Sequence, residues 1–428
     1  MEKEVLIKKI ADVNAKLSGG IALTPELSCL AQPIKIGSFD LANRIAIQPM
    51  EGCDGTADGA PNTLTIRRYD RFAHSGAGLV WFEATAIVSE GRANPRQLWL
   101  TEENKDEFKK VIDDLRETSM KLYGFAPMII MQATHSGRYS KPAPYTAHPI
   151  PEVEAKRNFE GAIEVTDEYL DTLPEKYALS SKLARKVGFD GVDIKACHGY
   201  LLSELLSAFE RTGKYGGSLE NRTRLYKDTI TAANTYAGDD FIVTSRINVY
   251  DGYGRWGANA DGSPNMAEPI ALFKDIHENY GIELIDITMG NPYHNPHVNR
   301  PYDKGPYAPP ETPEDGLSRL CNLTSEIKRA IPSLLIISSG NSYLRELSPH
   351  LAAGLIEARG ADMAGFGRLS FAYPEFARDI ITEGALNPKK VCLACGKCSE
   401  LMRANSKAGC VLRDIVYTSL YTEEVMKK

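Results

Sequence analysis

Short, nearly continuous apolar runs recur along the chain, and most lead into a stretch whose apolar positions return at helical spacing. The runs are RIAIQPM (44–50), AGLVWFEATAI (77–87), APMIIMQATH (126–135), FDGVDIKAC (189–197), FIVTSRIN (241–248), LIDITMG (284–290), LLIISSGN (334–341) and ADMAGFGR (361–368). Strands buried on both faces read this way, because neither face meets water. Between them lie NKDEFKKVIDDLRETSMKLYG, DEYLDTLPEKYALSSKLARKVG, LENRTRLYKDTITAANTYAG and LSRLCNLTSEIKRAIP, which predict amphipathic helices. Strand alternating with helix predicts a parallel sheet. Eight such units predict a (β/α)8 TIM barrel, with a doubly wound open sheet as the alternative.

The pattern divides the chain into a helical N-terminal extension (1–29), the barrel (30–385) and a Cys-rich tail (386–428). Two long Pro-rich segments, 136–166 and 290–315, interrupt the alternation. The first follows the third strand and is expected to form a lid over the barrel mouth.

Charge narrows the function classes. The 50 Lys and Arg against 56 Asp and Glu leave a net −6, with no basic stripe. Nucleic acid and anionic membrane surfaces are therefore poor partners. The charged start, MEKEVLIKKIADVNAKLSGG, lacks the apolar core of a secretion signal, and runs such as PSLLIIS are far too short to span a bilayer. A cytoplasmic protein is expected, where thiols stay reduced and clustered cysteines argue for metal before disulfide. Cys392, Cys395 and Cys398 stand two residues apart, and Cys410 follows after eleven more. Four thiolates suit an iron–sulfur cluster or tetrahedral zinc. Such a segment has few apolar residues, so ligation is expected to be what orders it. Cys29, Cys53, Cys197 and Cys321 are scattered and read as packing residues.

In a barrel of this kind chemistry sits at the C-terminal ends of the strands. Those ends supply Met50-Glu51, Glu83-Ala84-Thr85, Gln132 with His135, Lys195 with His198 and Tyr200, Arg246, His294 and His297, Gly340-Asn341 and Gly367-Arg368. The last two strands end in SSGNS and GFGR. Glycines let backbone approach a ligand, the loops after strands 7 and 8 commonly hold phosphate, and Arg368 adds a bidentate donor.

The stretches IGSFDLANRIAIQPM, HSGAGLVWFEATAIVSEGR, QATHSGR, GFDGVDIKACHGYLLSELLS, YGGSLENRTRL and GADMAGFGR resemble, in order, those of the old yellow enzyme family of FMN-dependent ene-reductases. The resemblance implies FMN across the barrel mouth. Gly340, Asn341, Gly367 and Arg368 would meet its phosphate, Gln132 its pyrimidine edge, Arg246 the N1/C2=O region, and Pro49, Met50 and Ala84 the ring through backbone. It also implies NAD(P)H as hydride donor and a small unsaturated molecule as substrate. His198 and Tyr200 occupy the family's positions for carbonyl binding and proton donation. Either His297 or His294 would assist, with His297 favoured.

Two residues depart from the family pattern. Lys195 replaces a histidine, which favours a carboxylate or enolate, and Glu51 stands where relatives place a small residue, suggesting a coupled Glu51–Lys195 pair. The tail resembles that of the branch with 2,4-dienoyl-CoA reductase and trimethylamine dehydrogenase, which implies that Cys392, Cys395, Cys398 and Cys410 hold a [4Fe–4S] cluster. The middle spacing is one residue shorter than in that branch, and zinc is the alternative. A separate electron-transfer protein then becomes a candidate partner, and a homo-oligomer stays open. Amine demethylation on the same cofactors, or service as a flavoprotein subunit, are the competing functions.

Overall fold

The computed structural model describes residues 3–427. At its centre stand eight parallel strands: β1 (Ile45–Ile47), β2 (Leu79–Ala86), β3 (Met128–Thr134), β4 (Gly191–Ile194), β5 (Ile242–Asn248), β6 (Leu284–Thr288), β7 (Leu335–Ser338) and β8 (Met363–Phe366). The ring closes where Ala364 of β8 pairs with Ile45 of β1. That pairing makes the expected (β/α)8 barrel and excludes the open sheet, which would leave two free edges. Every predicted run contains one strand, shorter than the run itself. Residues just past the strands, such as Gln48–Glu51 and Lys195–Tyr200, surround the barrel mouth.

Alternation explains which end is active. Leu79, Trp81, Met128, Ile130, Leu284, Ile337 and Met363 share one buried cluster inside the ring. A hairpin, Ile34–Ile36 with Phe39–Leu41, adds Ile36 and Leu41 to that cluster. The cluster uses the first residues of several strands, so the hairpin stops the N-terminal end. Outside, helices such as Lys105–Tyr123 and Asp167–Val187 cover the sheet. The second starts with Thr166 accepting from the Tyr169 amide and ends at left-handed Gly188, φ 100°.

The N-terminal helix Lys3–Asn14 packs on the barrel's flank, where Ile10 and Leu23 join Leu317, Leu351 and Leu355. The segment 136–166 is pinned rather than loose. Buried Arg138 grips Glu204 of the helix Leu201–Leu206 through two bonds of 2.9 and 2.8 Å. No helix among the described residues is long and apolar enough to cross a membrane.

The tail has packing of its own besides the cysteines. Its helices Lys397–Arg403 and Ile415–Tyr421 enclose an apolar centre of Leu401, Val411 and Tyr417. It is also fastened to the barrel mouth. The Ala408 amide donates to the Gly52 carbonyl at 2.7 Å, Arg67 forks onto Asp414 at 2.7 and 3.1 Å, and Arg96 donates to the Asn405 carbonyl at 2.6 Å. Packing and hydrogen bonds thus help to place the tail, because residues scattered through it share a core that its spacing did not disclose.

Candidate active site at the barrel mouth

The C-terminal ends of the strands surround one cavity lined by Pro49, Met50, Ala84, Gln132, Lys195, His198, Tyr200, Arg246, Gly340, Gly367 and Arg368. With Cys398, which also lines it, these are the sequence-derived candidates apart from Asn341, His297, Cys392, Cys395 and Cys410. Asn341 is buried behind the wall, where its amide reaches Ser338 Oγ at 3.3 Å and the Gly365 carbonyl at 3.4 Å. It ties the loop after β7 to β8 rather than lining the cavity.

The floor is a carboxylate network. Asp193 accepts from Trp81 Nε1 at 2.8 Å, Gln132 Nε2 at 2.7 Å and the Arg246 amide at 2.6 Å. Asp286 lies 3.1 Å from Arg246 Nε and accepts from Gln48 Nε2 at 3.0 Å. The Nε–Oδ2 contact is an ion pair by distance but is not aligned as a hydrogen bond. Burial pushes Asp286 up to about 7, opposed by Arg246, and Asp193 up to about 6. Glu83, in β2, is bound to Arg68. The Arg246 guanidinium thus lies over a buried acid and forms no hydrogen bond with a described residue. No described residue donates to the Gln132 carbonyl oxygen, which leaves an acceptor for an N–H of a planar ring.

At the β7–β8 end, Gly340 takes φ 84°, and a Cβ there would come within 2.6 Å of Leu320 Cδ1. A Cβ at Gly367 would meet Met50 Sδ at 2.8 Å. Two cations converge here. Arg368 and Arg300 are buried or half-buried, and neither has an acidic partner among the described residues. Burial, then the charge of Arg368, pushes Arg300 down to about 10. Two desolvated guanidinium groups that repel each other define a site for an anion of high charge density, as phosphate is. Arg300, held by Ser399 Oγ at 2.7 Å, comes from the irregular 290–315 segment. Only its position after a strand end could have flagged it.

At the opposite side, His198 and Gly199 both take positive φ, 66° and 71°, and this turn delivers Tyr200 into the cavity. A Cβ at Gly199 would lie 2.3 Å from Asn291 Nδ2, so only glycine fits. Lys195 Nζ sits 4.0 Å from the Tyr200 ring centroid and makes no ion pair with a described residue. Burial lowers its pKa, opposed in part by Glu51. Burial likewise raises Glu51, with Lys195 opposing. The expected pair is therefore an electrostatic coupling without direct contact. The direct partners of Glu51 are Asn94, whose Nδ2 donates at 3.0 Å, and Cys53, whose Sγ donates at 3.7 Å. Burial, then Arg246 and Lys195, keeps His198 neutral.

Tyr293, like Arg300, was missed in the sequence. Tyr293 Oη lies 3.0 Å from Tyr200 Oη, and its ring stacks on Tyr139 at 4.1 Å. His297, favoured from sequence, does not line the cavity. Its Nδ1 bonds Tyr307 Oη at 2.6 Å, and Nε2 faces Glu311 at 3.9 Å. The short helix Pro296–Asn299 turns Asn299 inward and His297 away from the cavity. His294 also lies behind the wall, edge-on to Tyr253 at 5.3 Å.

Cys392, Cys395, Cys398 and Cys410 line a second, smaller cavity beside the first. Arg368, Phe371 and Cys398 form part of both linings. Among the described residues no three His, Cys, Asp or Glu side chains converge closely enough to hold a single metal ion.

Comparison with known proteins agrees with this geometry. The family model of the NADH:flavin oxidoreductase / NADH oxidase family matches residues 29–306. A metal reductase of Desulforamulus reducens is 28% identical over 381 residues, covering 87% of this chain and 51% of the relative. A cinnamate reductase of Clostridium sporogenes is 29% identical over 379 residues, 86% of this chain and 54% of the relative. The chain thus spans about half the length of these two relatives. The fold matches a 2-naphthoyl-CoA reductase–2-naphthoyl-CoA complex with TM-score 0.75 at 22% identity, over 92% of this chain and 58% of that one. It matches an old yellow enzyme homologue from Zymomonas mobilis with TM-score 0.64 at 22% identity, over 84% of this chain and 94% of that one. With the barrel and the family match together, the chain belongs to the NADH:flavin oxidoreductase / NADH oxidase family.

Proposed function

We propose that this protein is an FMN-dependent ene-reductase that reduces an activated, acidic alkene, with NAD(P)H or an iron–sulfur cluster supplying electrons to the flavin. The observation that carries the reading is the polarity of the mouth cavity. One end holds two arginines without counter-ions, the middle an amide acceptor and Arg246, and the other end an unpaired buried lysine beside a tyrosine pair.

Arg300, Arg368 and the backbone at Gly340 and Gly367 would hold the phosphate of FMN. The Gln132 carbonyl oxygen would accept from the ring N–H, and Arg246 would offset negative charge beside it. Pro49, Met50 and Ala84 would provide flat backbone contact. Bound there, FMN would supply hydride from N5 to the β-carbon of the alkene.

The protein's own groups do the rest. Lys195 attracts the substrate's carboxylate or enolate oxygen, with neutral His198 as a second donor. That charge draws electron density from the alkene toward the oxygen. Tyr200 holds its proton at Oη, because burial raises its pKa, and delivers it to the α-carbon. The phenolate left behind accepts from Tyr293 Oη and lies against Lys195. Tyr139 and Tyr293, stacked together, screen this end from water. An amine substrate would bring a cation against Lys195, which disfavours demethylation.

Cys392, Cys395, Cys398 and Cys410 would hold a [4Fe–4S] cluster, which supplies single-electron transfer. Tetrahedral zinc, with Zn–S of about 2.3 Å, would need the sulfurs within about 4 Å of one another. A cubane spreads them wider; all four thiols line one cavity, and tetrahedral zinc is the alternative occupant. This reading keeps the division into extension, barrel and tail at 1–29, 30–385 and 386–428.

Two expected results test these assignments. Arg368→Ala and Arg300→Ala should each lower the FMN content of purified protein, roughly tenfold or more in affinity for a lost charge-assisted contact. Retention of full FMN by the double variant would remove the phosphate assignment. Lys195→His should weaken KM for unsaturated acids by roughly tenfold and favour neutral enones, since a direct charge pair is worth about 1–3 kcal/mol. Equal loss on both substrate types would make Lys195 structural.

A further inference from the structure

We infer that the tail surface over the cysteine cavity is a docking face for a separate, acidic, one-electron carrier protein. The inference rests on the reading that the four cysteines hold an iron–sulfur cluster, and it adds the partner that reading lacks.

The first observation is charge. The whole chain carries −6, yet residues 389–415 hold Lys389, Lys390, Lys397, Arg403, Lys407 and Arg413 against Glu400 and Asp414, and Asp414 is taken up by Arg67 at 2.7 Å. Lys390 is drawn to Glu375 at 3.4 Å, and Lys397 lies over the Tyr421 ring at 4.3 Å. Lys389, Arg403, Lys407 and Arg413 form no ion pair with a described residue. The second observation is apolar surface within this basic stretch. Leu393 is 37% exposed, Leu412 43% and Ile415 76%. Leu393 and Leu412 line the cysteine cavity itself, next to half-exposed Cys395, Cys398 and Cys410. Exposed leucines beside a redox site and flanked by unpaired cations have the anatomy of a transient interface, with a small apolar centre and a charged rim that steers the partner.

The third observation is connection. Arg368, Phe371 and Cys398 line both this cavity and the mouth cavity. An electron entering at the tail surface therefore has a short packed route to the flavin site. A nicotinamide, which delivers two electrons as hydride at the mouth, has no use for such a surface. The balance is simple: two reduced carriers are each oxidised by one electron, and with two protons these reduce one C=C bond to CH–CH. The basic rim selects an acidic carrier over a basic one.

Binding to the immobilised holoenzyme tests this without reference to turnover. The probe is a plant-type [2Fe–2S] ferredoxin, an acidic carrier, with a basic cytochrome c as the opposite-charge control. Ferredoxin should bind at about 20 mM NaCl and weaken about tenfold or more by about 300 mM, as exposed charges are screened. The variant Lys389→Glu/Arg403→Glu/Lys407→Glu should bind it about tenfold more weakly at low salt, with iron, FMN and Tm as in the parent. Leu412→Asp should also weaken it. Salt-independent binding, equal affinity in the charge-reversed protein, or preference for cytochrome c overturns the docking face. Absence of iron from anaerobically purified parent protein would instead sink the cluster reading, and the two failures are read separately.

Discussion

Replacing Tyr200 with phenylalanine is expected to slow reduction of an unsaturated acid by about 10²–10⁴, the usual worth of a positioned general acid. Flavin reduction by nicotinamide should change little, because the phenol proton takes no part in that half-reaction. The substitution is conservative in shape. Phenylalanine keeps the ring on which Lys195 rests at 4.0 Å, so the lysine stays placed and the loss is that of the hydroxyl. Tyr293→Phe gives the partial form of the same defect. It leaves the Tyr200 proton in place but removes the hydroxyl 3.0 Å away that would stabilise the phenolate. A hydrogen bond to a charged group is worth about 1.5–3 kcal/mol, so a loss of roughly tenfold to a hundredfold is expected. Because burial holds both phenols above their ordinary pKa, neither should put a limb in the rate profile near neutral pH. Stopped-flow reoxidation of the reduced enzyme by the alkene separates the cases. Full activity in Tyr200→Phe with severe loss in Tyr293→Phe would move the donor to Tyr293.

What the chain disclosed and what it hid follow from one physical difference. Barrel strands are buried on both faces, so each wrote a local apolar run, and the residues where a run turned polar marked the mouth. Lys195, Tyr200, Arg246 and Arg368 were legible for that reason. Contacts made across the fold leave no such trace. Asp286 meets Arg246 only because β5 and β6 are neighbours in register, Arg246 beside Asp286. Arg300 and Tyr293 come from a segment with no period, whose course is set by contacts such as the Asn291 bond to Tyr139 Oη at 2.8 Å. His297 shows the converse. It had the right chemistry at the right place in sequence, but one turn of helix decides which side chain faces the cavity, and Asn299 takes that place.

The largest expected effect lies in the tail. Cys395→Ser should abolish iron binding while sparing FMN. One cubane would give about four irons per chain in protein prepared anaerobically, with visible absorption beyond the flavin bands that dithionite bleaches. Serine offers a harder, weaker ligand than thiolate, and three remaining sulfurs would leave one iron corner open. The tail itself should stay folded in the variant. Its position depends on the Leu401–Val411–Tyr417 centre, the Arg67–Asp414 fork and the Ala408–Gly52 bond, none of which involves a cysteine. Unchanged FMN content and protease resistance of residues 386–427 would verify that separation. Coupled loss of flavin would mean instead that the wall shared through Arg368, Phe371 and Cys398 depends on the cluster. Stoichiometric zinc, with neither iron nor sulfide in the anaerobic parent protein, would make the tail a structural clip. Every electron would then have to reach the flavin through the barrel mouth, where NAD(P)H and the alkene would take turns beside Lys195 and Tyr200.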